Sequence, residues 1–150
     1  RGDDGQPIVI PVRAFTADDW LWDPIDREFY PTETARVVRD VPIWQLKAAN
    51  GAESFSSHSH LIMPDEEHPT GMRCDQLRPY DEALTEIRGE KMANYVVISQ
   101  DTGETGDVMY IKMKGGHRYA AGSELDKLIV AHNNKPADPY KDPYYQPILY

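Results

Sequence analysis

Apolar residues between positions 79 and 88 recur at the spacing of one helix face. They are Tyr80, Ala83, Leu84 and Ile87. These positions follow the i, i+3, i+4, i+7 rule that brings side chains to one side of an α-helix. Pro79 suits the first helical turn, and Gly89 suits the position just past the helix end. The pattern therefore predicts a helix over 79–88.

Two further helices are predicted from capping signals. Ser123 followed by Asp126 resembles a capping box, which places a helix start at this point. The apolar side of this helix would consist of Leu125, Leu128, Ile129 and His132. Thr16 followed by Asp19 is a similar signal and predicts a short helix through Trp22, which Pro24 would end.

The segment 93–113 has the pattern of a β-hairpin. Residues 93–100 are rich in β-branched side chains, and residues 107–113 alternate between apolar and polar positions. The residues between them, 101–106, supply turn chemistry with two glycines. Together with the helices, this hairpin predicts an α+β fold, in which a small antiparallel sheet is flanked by helices.

Prolines and aromatic residues divide the chain into three zones. Residues 46–134 are expected to form the compact core, while the proline-rich segments 1–45 and 135–150 are expected to be extended N-terminal and C-terminal arms. Large aromatic side chains on an irregular arm need a surface to cover them. The candidate interaction residues on the arms are Trp20, Trp22, Trp44, Tyr140, Tyr144, Tyr145 and Tyr150.

Charge and hydropathy exclude several kinds of partner. The chain carries 25 acidic and 16 basic residues, for a net charge of −9. A nucleic-acid partner is not expected, because phosphates would be repelled and no Lys/Arg stripe compensates. Apolar runs are too short for a membrane helix, so no transmembrane segment is expected. Nothing in the sequence assigns a compartment, and no cofactor is predicted.

Three histidines near acidic residues are candidate metal ligands. His58 and His60 form a His-x-His pair, which on a strand over 56–61 would put two imidazoles on one face. His68 could complete such a site. Because no established metal signature is matched, a surface cluster of histidines is the preferred interpretation.

The lone cysteine suggests a second kind of chemistry. Cys74 comes just before the predicted helix 79–88, and a Gly-Asp-plus-apolar strand over 106–111 leads to His117. In these features the chain resembles the papain-like peptidases of the NlpC/P60 class. The resemblance implies Cys74 as nucleophile, His117 as its base and His132 as the polar third member. The sequence departs from that family at Arg73-Cys74-Asp75-Gln76, where the family has Asp-Cys-Ser-Gly.

The preferred functional hypothesis is a non-catalytic assembly subunit. Its aromatic arms would dock on other protein chains, in a homo-oligomer or in a multi-subunit complex such as a virion. The alternatives are a papain-like Cys-His hydrolase and a metal-binding enzyme that uses the His-x-His pair.

Overall fold

The chain is built from antiparallel β-strands. The computed structural model describes residues 4–115 and 118–133. The strands are β1 (Trp20–Asp23), β2 (Glu28–Ala48), β3 (Glu53–Ser56), β4 (Leu61–Ile62), β5 (Met72–Arg73), β6 (Glu82–Ile87), β7 (Glu90–Met113), β8 (Arg118–Glu124) and β9 (Lys127–His132). Two short 3-10 turns lie at Val12–Ala14 and Cys74–Gln76. The described residues contain no α-helix.

Two long strands, β2 and β7, form the spine of the sheet. They pair antiparallel from Thr32 opposite Met113 to Ala48 opposite Val96. The sheet order is β1-β2-β7-β6-β9-β4-β5, with β3 added to β2 and β8 added to β9. The β2–β7 register shifts at four places. Such bulges bend a strand and increase its twist, which allows this sheet to curl around a core.

The core lies where the central strands of the curled sheet face one another. Its buried residues are Leu46, Ala48, Ala52, Ile62, Cys74, Leu77, Ala83, Val96, Ile129 and Ala131. They come from β2, β4, β6, β7 and β9 and from the intervening turns. The core therefore depends on pairings between distant parts of the chain, and the same pairings carry the candidate site.

The helix predicted over 79–88 is wrong, because this segment forms strand β6. β6 lies between β7 and β9, so its backbone is paired on both sides. Ala83, Leu84 and Thr85 are all buried in succession. A strand with protein on both faces has a continuous apolar run, and such a run also satisfies helical spacing. Gly89, at φ +83°, belongs to the tight turn between β6 and β7.

The other two predicted helices are also wrong. The Ser123–Asp126 signal lies at the hairpin between β8 and β9, whose Leu125 is exposed. At the second site the Thr16 amide donates to the Asp19 carboxylate at 2.8 Å. That bond closes a turn, and strand β1 comes directly after it. Capping side chains stabilise turns as well as helix starts, so the signal does not determine whether a helix or a strand comes next.

The hairpin predicted over 93–113 is a single strand, β7. The turn-like residues 101–106 lie within β7, and both ends of this stretch pair with β2, since Trp44 lies opposite Asp101 and Val41 lies opposite Gly106. Register shifts interrupt the β2–β7 pairing on either side of Pro42. Gly103 adopts φ +78° with open space around it. Glycine-containing bulges use the same residue types as turns, and here those residues bend a continuous strand.

The α+β prediction with extended arms is therefore replaced by an all-strand fold. The predicted N-terminal arm contains β1 and most of β2. The predicted C-terminal arm, 135–150, lies outside the described residues. Among the residues that are described, no helix is long and apolar enough to cross a membrane.

Candidate functional site

The end of β9 brings together residues that are far apart in sequence. β9 is almost entirely buried, and it ends at His132. On one side, Arg118 of β8 lies opposite His132. On the other side, Ile62 of β4 lies opposite Ala131. His60 comes two residues before Ile62, and its ring lies against that of Tyr119 on β8. We call His60, Tyr119, His132 and Asn133 the β9-end site.

His60 is held by a tight turn that is anchored to the core. The His60 amide donates to the Ser57 carbonyl at 3.2 Å. The backbone amide of Cys74 donates to the His60 carbonyl at 2.9 Å, and its thiol donates to the same oxygen at 3.0 Å. This segment separates β3 from β4, so the strand predicted over 56–61 is wrong. The turn fixes the backbone from which the His60 imidazole projects.

Cys74 therefore has an anchoring role. It is fully buried, and burial raises the pKa of its thiol to about 12. A thiol that stays protonated at neutral pH is a poor nucleophile. Its partner in the sequence-based hypothesis, His117, lies outside the described residues. The third member, His132, lies at the β9-end site.

The His60 imidazole is neutral at physiological pH. Its ring lies against that of Tyr119, with 6.4 Å between the ring centroids. Burial lowers the pKa of His60 to about 4, because the charged imidazolium loses its hydration. A neutral imidazole carries one N–H donor and one basic nitrogen. His60 can therefore accept or deliver a proton.

Asn133 extends the site towards β7. Its Oδ1 accepts a hydrogen bond from the Met113 amide at 2.8 Å, and its Nδ2 donates to the Ile111 carbonyl. The side-chain amide thus bonds to β7 as a backbone peptide group of a neighbouring strand would. This contact fixes the position of Asn133 just beyond the end of β9.

His132 is enclosed by a turn as well as by the sheet. It is a buried residue. Gly71, at φ +73°, comes so close that a Cβ on it would lie 2.9 Å from the His132 Cβ. The His68 ring nitrogen Nδ1 accepts the Gly71 amide at 2.8 Å and so supports this turn. Only a residue without a side chain fits at position 71.

His58 and His68 do not join His60 in a metal site. His58 points to a separate cleft, where its Nδ1 lies 3.2 Å from Asp75. His68 caps the turn at Gly71. Within 4–115 and 118–133, no group of three or more His, Cys, Asp or Glu side chains is arranged to hold a metal ion.

The cleft next to His58 has a volume of about 110 Å³. It is lined by Pro42, Ile43, Trp44, His58, Asp75 and Asp101. Burial alone would raise the pKa of Asp75, but its hydrogen bonds to Arg73, at 2.7 Å and 3.1 Å, and to His58 lower it overall. Asp75 is therefore a charged, paired carboxylate rather than a proton donor.

The three tryptophans have different surroundings. Trp20 is about half exposed on β1. Trp22 packs edge-to-face on Phe29, with ring centroids 4.9 Å apart. Trp44 donates from Nε1 to the Ser99 hydroxyl at 3.1 Å. The tyrosines at 140, 144, 145 and 150 lie outside the described residues. A role of these aromatic residues in binding other chains stays a prediction.

Asn133 and Tyr119 are the members of the site that sequence reasoning missed. A signal for Asn133 exists, because a buried apolar run over 128–131 ends in the polar pair His132-Asn133. Tyr119 has no comparable signal. Its proximity to His60 arises from strand pairing alone.

The fold is similar to that of inteins. A bacterial intein-like domain from Clostridium thermocellum matches with a TM-score of 0.60 and 14% identity, over 83% of this chain and 88% of that one. A DnaB intein from Synechocystis matches with a TM-score of 0.63 and 14% identity, over 84% and 87%. The gp41-1 intein matches with a TM-score of 0.62 and 17% identity, over 81% and 85%. No protein-family model and no curated protein sequence matches the chain.

These similarities establish the fold and correct the functional hypotheses. The assembly-subunit hypothesis and its papain-like alternative are both wrong, since the chain has the curled, all-strand architecture of intein domains. The third hypothesis, a metal-binding enzyme that uses the His-x-His pair, is wrong as well. At identities of 14–17%, the similarity describes the fold of the chain. It is the same fold that forms the β9-end site.

Proposed function

We propose that this domain cleaves its own chain at the peptide bond between Asn133 and Asn134. Its structural neighbours bear the name intein, which denotes self-splicing domains. The observation that carries the proposal is the strand register at the end of β9. The Ile62–Ala131 pair brings the segment that holds His60 to the end of β9, where the buried His132 is followed directly by Asn133.

The chemistry needs only groups of the chain itself. The Asn133 Nδ2 attacks the backbone carbonyl carbon of the same residue and gives one of its protons to a histidine. A bond forms between Nδ2 and this carbon, which closes a succinimide ring, and the bond from the carbon to the Asn134 nitrogen breaks. A histidine returns a proton to that nitrogen, which leaves as a free amine. Neither water nor an oxidant is consumed.

His60 fits the proton-transfer role. A positioned acid–base catalyst contributes about 100-fold or more, and less when its pKa lies far from the working pH, as the pKa of about 4 does for His60. His60 is neutral at pH 7, so it can accept the Nδ2 proton. Its low pKa also makes the imidazolium that then forms a strong acid. That acid can deliver the proton to the leaving amine.

Intact-mass spectrometry of the purified chain tests the proposal. Fragments 1–133 and 134–150 should accumulate, and their masses should add up to that of the intact chain with no added water. Asn133→Ala should abolish the reaction, and His60→Gln should slow it about 100-fold. His58→Gln is the matched control, because it lies two residues earlier in the same turn and contacts Asp75 instead.

Two results would count against this reaction. The first is fragments whose summed mass includes one water from the earliest time point, with no succinimide fragment preceding them, since that identifies direct hydrolysis rather than later opening of the ring. The second is cleavage of Asn133→Ala at the rate of the unaltered chain, since that removes the proposed nucleophile from the mechanism.

A further inference from the structure

A buried ion pair ties the start of β8 to the first strand of the chain. Asp23, the last residue of β1, is fully buried. Its Oδ1 accepts the amides of Ile25 at 2.8 Å and Asp26 at 2.9 Å. Its Oδ2 accepts Nε of Arg118 at 3.0 Å, and the Arg118 Nη2 also donates to Asp26. This carboxylate thus uses both oxygens, and one guanidinium bridges two aspartates.

Arg118 lies where β8 meets the β9-end site. It is opposite His132 in the β8–β9 register. The next residue, Tyr119, lies against the His60 ring. Arg118 and Asp23 are 95 residues apart in sequence. Their ion pair therefore connects the β1–β2 turn to the strand that contacts both histidines.

We infer that Arg118 is a positioning residue for the cleavage reaction proposed above. Its ion pair with Asp23 and Asp26 holds the start of β8 so that Tyr119 stays against His60 and β8 stays paired beside His132. The inference rests on the proposed function, and it concerns how the histidines are held, since Arg118 itself does not touch Asn133 in the described contacts.

The geometry explains why arginine stands at this position. A guanidinium presents several N–H donors in a rigid plane, so it can bond to two carboxylates at once. A lysine has a single ammonium and cannot reproduce both contacts in the same geometry. Burial alone would lower the pKa of Arg118, but the hydrogen bonds to Asp23 and Asp26 raise it overall. The guanidinium therefore stays charged.

The test compares Arg118→Gln with a matched control, Arg39→Gln. Arg39 pairs with Asp107 at 3.3 Å, but both side chains are exposed and lie on β2 and β7. We expect Arg118→Gln to slow cleavage at least 10-fold and Arg118→Lys to give an intermediate rate. We expect Arg39→Gln to cleave like the unaltered chain. The measurement is the rate of appearance of fragment 134–150 by mass spectrometry.

A second readout separates positioning from simple destabilisation. Titration of His60 followed by NMR, with folding checked by urea unfolding, should show its pKa rising from about 4 towards 6.5 in folded Arg118→Gln. The reason is that a displaced Tyr119 admits water to the ring. Asp26→Asn removes the charge that faces Nη2 and leaves the bond between Arg118 and Asp23 in place, although it also alters the hydrogen bond that the Tyr30 hydroxyl donates to Asp26 at 2.8 Å. It serves as the folded variant if Arg118→Gln unfolds. It should change cleavage and the His60 pKa in the same directions.

The two proposals fail in different ways. If the unaltered chain does not cleave, the proposed function is wrong, while the His60 titration still tests the positioning role. If a folded Arg118 variant leaves the His60 pKa unchanged, the positioning role is wrong whatever the cleavage rate. It is equally wrong if Arg118→Gln cleaves as fast as Arg39→Gln.

Discussion

Lowering the pH from 7 to 4 should destabilise this fold through His60. Burial lowers the pKa of His60 from 6.5 to about 4 in the folded chain. Between these two pH values the unfolded chain binds a proton that the folded chain does not, so the free energy of unfolding falls as the pH falls. Each pH unit is worth about 1.4 kcal/mol. The free energy of unfolding should therefore fall by about 3 kcal/mol because of His60 as the pH is lowered from 6.5 to 4.

Urea unfolding at a series of pH values, for the unaltered chain and for His60→Gln, isolates this contribution. Glutamine is polar and does not titrate, so the variant lacks the His60 proton. Asp75 has a lowered pKa, and its stabilising contribution is lost at still lower pH. That loss is the same in both chains. The difference between the two curves should change by about 3 kcal/mol between pH 7 and pH 4. Parallel curves would refute the reasoning.

Four further predictions concern the packing and the reactivity of the buried thiol. Gly71→Ala should cost about 2–4 kcal/mol in urea unfolding, because its Cβ would collide with His132 and its φ is positive. Gly89→Ala, with positive φ in open space, should cost only about 1 kcal/mol. Leu46→Ala should cost about 2–5 kcal/mol, since Leu46 is fully buried. Cys74 should resist iodoacetamide at pH 7–8 until urea unfolds the chain, and rapid labelling of the folded chain would contradict its anchoring role.

The candidate site shows how much the residues alone could indicate. Sequence reasoning singled out His60 and His132, because histidines are few and chemically versatile. It assigned them to two different sites, one with His58 and one with Cys74. Nothing local links the segment of His60 to that of His132, since the two segments meet through the pairing of β4 with β9. That pairing is a long-range contact. The residue pattern within either segment carries no information about which strand will pair with it.

The sequence by itself indicated some extended segments and some element boundaries. The β-branched run over 93–100 does lie in a strand, and Gly89 does end one element and start the next. These properties depend on backbone sterics and side-chain shape, which act over a few residues. The sequence also determined the acidic charge and the single cysteine.

Only the tertiary structure decided between helix and strand for the buried segments. Ala83 and Leu84 satisfy either structure, and β6 forms because β7 and β9 pair with both of its edges. The same holds for residues 101–106, whose composition is typical of a turn but which lie in β7, where both ends of the stretch pair with β2. The buried pair of Asp23 and Arg118 joins positions 95 residues apart. Hydrogen bonds across a sheet come from distant segments, so a pattern read within one segment cannot contain them.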